Sequence, residues 1–171
     1  MNLRDRLRTG TRRAQDALEA SFARFDLGTS EGLRAFLAVQ ADMVATLRRA
    51  HDDELAAPLS EAAERLAADL VALGHHYEAT PHAAPGVDEA VARLWLWHAT
   101  RLPLRMQWRR VGPGLPSAAL SAPRDSAAWR DFCETLEARD GYGAAAEREV
   151  TSANEWYALY ETACHARARV A

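Results

Sequence analysis

Lysine is missing from this chain: all 21 basic residues are arginine. Together with the many alanines, this absence reads as coding bias more than mechanism. Against 24 acidic residues the net charge is −3, which gives no reason to expect a nucleic-acid partner. Cysteine is scarce. Cys133 and Cys164 make neither a C-x-x-C pair nor a zinc-ligand spacing, and are expected to be small buried apolar residues. No apolar run approaches the ~20 residues of a membrane span. The opening MNLRDRLRTGTRRAQ has no signal-peptide core, and Asp5, Asp16 and Glu19 argue against a transit peptide, so a cytoplasmic setting is expected. Strand-like alternation is lacking as well. What remains is an alanine- and leucine-rich chain of 171 residues, 49% hydrophobic and 26% charged. Those values describe one ordinary globular domain over 1–171 of the all-α class.

The apolar spacing predicts six main helices. The first runs from Asn2 to Phe22 with Leu3, Leu7, Ala14, Leu18 and Phe22 on one face, and Gly10 is a costly residue inside it. A turn over Asp26 to Gly28 precedes a second helix from Thr29 or Ser30 to His51. A third follows Pro58, with Ser60 as its N-cap, and ends at Gly74. A loop spans His75 to Gly86. The fourth helix starts near Val87, is interrupted at Pro103 and resumes to Val111, with Trp95, Trp97 and Trp108 as core residues. The stretch GPGLPSAALSAP reads as an irregular connection. The last two helices cover Ser126 to Ala138 and Gly143 to Arg169.

Two segments carry chemistry. Leu3, Leu7, Thr11, Gln15 and Glu19 recur four apart, so they share a helical face, as a plain amphipathic helix also would. This pattern resembles the opening helix of the bacterial heme oxygenases, L-R-x-x-T-x-x-x-H-x-x-x-E. In that family the histidine ligates heme iron and the acid one turn later orients it. By position, Gln15 stands where the ligand would be and Glu19 where its orienter would be. An amide is a poor iron ligand, but Gln15 can still donate to Glu19.

The second segment is Trp95-Leu96-Trp97-His98-Ala99-Thr100-Arg101-Leu102-Pro103-Leu104. It is similar to the family's distal-helix stretch Y-V-L-E-G-S-x-L-G-G, whose glycines let the backbone lie close to the heme. Ala99 takes the place of the first glycine, Thr100 that of the serine, and Pro103 and Leu104 that of the glycine pair. Side chains at Ala99 and Leu104 would enter the volume over the heme or push the helix away. His98, beside them, is the best substitute iron ligand, although a surface or core histidine has the same pattern.

The resemblance implies a single-domain, multi-helical heme-oxygenase-like bundle. An intact member binds heme, takes electrons from a donor and releases biliverdin, iron and carbon monoxide. For this chain it implies a degenerate member that binds heme, biliverdin or another flat tetrapyrrole-like ligand with little or no cleavage. Two alternatives stand beside it: an active oxygenase using His98, and a non-heme helical interaction protein whose pocket is filled. Arg8, Arg12, Arg13, Arg167 and Arg169 are candidates for propionate contacts, or are solvated helix faces. His75, His76, Glu78 and His82 lie on a proline-bounded loop poorly suited to a metal. Glu161 and His165, one turn apart, suit a salt bridge.

Overall fold

The computed structural model describes residues 1–50 and 53–169, and these are helical throughout apart from loops and an isolated bridge between Asn2 and Asp140. In chain order the elements are α1 (Leu3–Gly10), α2 (Arg12–Phe22), α3 (Ser30–Arg49), α4 (Asp53–Ala72) and α5 (Ala90–Gln107). A 3-10 turn (Trp108–Arg110), α6 (Ala118–Ser121), α7 (Ser126–Glu137) and α8 (Ala144–Ala168) complete it. The end expected for the second helix, His51, lies outside the described residues. The long α8 runs through the middle and packs against α1, α2, α3 and α5, while α3 pairs with α4.

The core forms where the apolar stripes converge. Phe22 of α2 meets Phe36 of α3 edge-on at 5.3 Å and Tyr160 of α8 at 5.8 Å, and Phe25 meets Phe36 at 5.3 Å. Such pairs contribute about 0.5–1.5 kcal/mol each beyond the area they bury. They fix the C-terminal end of α2 against α3 and α8. The N-terminus is held by backbone bonds from Leu3 N–H to Arg139 and from Gly141 N–H to Met1.

The first helix is not continuous, as its periodicity suggested, but breaks at Thr11. The cause is tertiary. Gly10 lies against α8, and a Cβ built there would sit 2.7 Å from Val150 Cγ1. Asn154 of α8 donates to the Gly10 carbonyl at 3.1 Å, occupying an acceptor at the end of α1. Helix α4 begins ahead of Pro58 rather than after it, so Ser60 is an interior residue and not a cap. Proline removes only one donor there, near a helix start whose Glu54 is exposed to water. Helix α5 starts at Ala90 rather than Val87 and runs unbroken across Pro103, with Gln107 Nε2 donating to the Pro103 carbonyl at 3.3 Å.

The connection after α5 is less irregular than expected. Asp69, buried on α4, accepts the backbone N–H groups of Ala118 and Ala119 at 3.1 and 2.8 Å and so starts α6. Trp95 and Trp97 are buried, but Trp108 is 46% exposed, because the chain leaves α5 there in a 3-10 turn that carries the ring past the core. Cys133 and Cys164 are both buried, and burial raises the pKa of each thiol, to about 12 at Cys164. Among the described residues no helix is long and apolar enough to cross a membrane.

Candidate functional site

Side-chain contacts at the two ends of α2 tie it to α5 and to the 3-10 turn that follows α5. At one end the buried Thr11 hydroxyl donates to the Leu7 carbonyl at 2.8 Å and accepts from Trp95 Nε1 at 3.2 Å. At the other, Arg110 reaches the carbonyls of Phe22, Ala23 and Phe25 at 3.0, 3.4 and 2.6 Å. That places a guanidinium on the negative end of α2. Between these two contacts α2 carries Gln15 and Glu19, with Gln15 Nε2 donating to Glu19 Oε1 at 3.0 Å. Gln15 is half-buried and Glu19 exposed. Ala99, Leu102 and Met106 share the α5 stripe that begins at Trp95. Leu102 and Met106 are 50% and 56% exposed, so the C-terminal part of this stripe faces solvent.

The opposite face of α5 bounds a cavity of about 930 Å³. Its walls come from α3, α4, α5 and α7, the α6 segment, and Tyr160 of α8. Of the residues singled out from the sequence, His98, Thr100 and Leu104 line this cavity, while Thr11, Gln15, Glu19, Ala99 and Pro103 do not. The candidate residues are therefore divided between two sides of one helix. Thr100 turns its hydroxyl back to the Leu96 and Trp97 carbonyls at 2.7 and 3.2 Å. Pro103 is buried within α5, and Leu104 is 6% exposed against the cavity.

His98 is held between aromatic rings. Its ring stacks on Phe132 at 5.5 Å and tilts against Trp129 at 5.7 Å, both on α7. Burial, aided by the positive charge of Arg124, holds its pKa down to about 4, so it is neutral near pH 7. Next along the helix, Arg101 lies 3.8 Å over the Trp97 ring and donates from Nε to the Trp97 carbonyl at 3.2 Å. Burial lowers its pKa to about 10. Tyr160 donates to Gln40 Oε1, and burial raises the pKa of its phenol.

The remaining candidates have local partners. Arg167 bonds to Asp42, at 3.3 Å, and to Tyr77, which ties the loop after α4 to α3 and α8. Arg8 pairs with Asp5 at 2.9 Å, whereas Arg12, Arg13 and Arg169 are exposed. His75 stacks on Tyr77 at 5.6 Å, and no group of three or more metal-ligating side chains occurs among the described residues. His165 lies 3.7 Å from Glu161. Asp69, Arg101, Arg110 and Arg124 were not singled out from the sequence. Only long-range packing separates them from ordinary surface charges.

An all-α bundle built around a central C-terminal helix, with this order of helices, is the heme-oxygenase-like fold. Among solved structures, the chain is similar to that of the NO- and CO-bound heme oxygenase from Neisseria meningitidis. The likeness covers 100% of this chain and 94% of that one, with a TM-score of 0.71 and 19% sequence identity. No protein-family model and no curated protein matches the chain.

The donor set does not fit heme held through its iron. At the position that the sequence resemblance gives to the iron ligand stands the Gln15 amide, whose nitrogen donates to Glu19. The imidazole of His98 is packed against Phe132 and Trp129 of α7.

Proposed function

We propose that this heme-oxygenase-like protein binds a flat apolar ligand and does not open the heme ring. Heme and biliverdin are the first tetrapyrroles to test. The observation that carries the reading is the hydrogen bond from Gln15 to Glu19 at 3.0 Å. The family's resemblance puts an iron-bound imidazole at that position. Here the nitrogen lone pair is delocalised into an amide, and the acid that would orient a ligand satisfies the amide instead. The cavity supports a binding role over a filled-pocket interaction protein, because about 930 Å³ is room for a ligand of ordinary size.

The test is a titration of the purified protein with hemin, followed by ascorbate or a reductase in air. The expected result is no sharp, stoichiometric Soret band from an imidazole-bound iron and no growth of biliverdin absorbance. A sharp band that decays into biliverdin would overturn the proposal and turn attention to a substitute ligand, tested by His98→Ala. Gln15→His extends the test. It should strengthen the Soret band, since Glu19 is placed to orient the new ring, yet still produce no biliverdin. Full turnover by that single variant would show that the side chain at Ala99 does not obstruct the chemistry.

A further inference from the structure

We propose that the cavity bounded by α5 and α7 is a binding site for a flat apolar carboxylate, held by the guanidiniums of Arg101 and Arg124, which both line it. The inference rests on the ligand-binding reading above and names the class of ligand. It begins with charge that the protein leaves unanswered. Buried charges are ordinarily paired, because removing an ion from water costs several kcal/mol, on the order of what a good ion pair returns. Arg101 uses Nε on the Trp97 carbonyl, and its terminal nitrogens have no acceptor among the described residues. Arg124 sits 4.8 Å over the Trp129 ring, and its buried Nε has no partner.

The acids that line the cavity are engaged elsewhere or lie at its open side. Glu61 binds Arg65 at 2.9 Å, and Asp125 accepts the Ala128 N–H at the start of α7. Asp131 lies 3.6 Å from Arg130, and Glu54 is exposed. His98 lines the same cavity and is held neutral near pH 7 by burial, with Arg124 and Arg101 lowering its pKa and Asp125 raising it. Arg101 keeps only part of its surface open to water. A carboxylate from a ligand would supply the missing acceptors, and the guanidinium fork suits it in two-pronged fashion. The Trp97, His98 and Phe132 rings offer flat apolar surface to the rest of such a molecule.

The experiment uses two fluorescent probes with one skeleton: anilinonaphthalene sulfonate, which is anionic, and N-phenylnaphthylamine, which is not. The sulfonate should bind the intact protein more tightly, and naphthoate should displace it while naphthylmethanol should not. Arg101→Met should weaken sulfonate binding about tenfold to a hundredfold, the usual loss for a charge-assisted bond. Binding of the neutral probe should stay within about twofold, which also shows that the variant is folded and its cavity intact. Arg101→Lys should fall between, since it keeps the charge without the planar fork. Equal binding of both probes, unmoved by Arg101→Met, would overturn the carboxylate assignment while leaving ligand binding in place. Failure of both probes to bind would overturn the cavity as a site altogether, whatever hemin does.

Discussion

The neutral state of His98 makes a quantitative demand on stability. An unfolded chain holds this imidazole at its ordinary pKa of about 6.5, whereas the folded protein holds it near 4. Between those values the unfolded state binds a proton that the native state refuses. Stability contributed at neutral pH is therefore lost as the pH falls from about 6.5 towards 4. Worked through to pH 4.5, full sequestration would cost about 2.5 kcal/mol, and solvent reaching the cavity side of the ring reduces this to about 2 kcal/mol. Urea unfolding of the natural protein and of His98→Gln, each followed between about pH 7.5 and 4.5, isolates the effect from other titrating groups. Loss of stacking on Phe132 and Trp129 should make His98→Gln less stable at neutral pH. The gap should narrow by about 2 kcal/mol on acidification, because glutamine does not titrate in this range. Parallel pH profiles would refute the reasoning and show that the imidazole is freely protonated where it sits.

Other contacts make simpler demands. Asp69→Ala removes the acceptor for the Ala118 and Ala119 N–H groups and should cost about 1–3 kcal/mol in urea unfolding, with faster amide exchange confined to the α6 segment. Gly10→Ala would gain about 1 kcal/mol on an open helix face. Here it should destabilise, because the added carbon falls 2.7 Å from Val150. Combining it with Val150→Ala should recover part of the loss in a double-mutant cycle, and additive effects would mean the two residues do not meet.

Helix existence was legible in this sequence because it depends on spacing, which Leu33, Phe36, Leu37 and Met43 or Trp129, Phe132 and Leu136 display without help from the rest of the chain. The Gln15–Glu19 bond was legible for the same reason, both residues lying on one helix face a turn apart. The break at Thr11 was not, because Gly10 and Thr11 are tolerable inside a helix and only the approach of Val150 and Asn154 ends it. Pro103 misled in the other direction. Its missing donor predicts an interruption, yet the helix runs through it, with Pro103 buried and Gln107 donating to its carbonyl. Assigning His98 to one side of α5 and Gln15 to the other needed the contacts of α7, and those come from more than thirty residues further along the chain. Arg101 and Arg124 were invisible as a pair, since an arginine gains meaning in such a cavity only from the carboxylates that fail to reach it.

The bonds that tie α2 to α5 and the turn after it have a consequence for motion. The indole of Trp95 on Thr11 and the guanidinium of Arg110 on the last carbonyls of α2 act at the two ends of the shorter helix. Swinging α2 outward about either end must break the bonds at the other, at about 0.5–1.5 kcal/mol for the neutral one and about 1.5–3 kcal/mol for each made by the guanidinium. The opening helix is therefore latched at both ends rather than hinged at one.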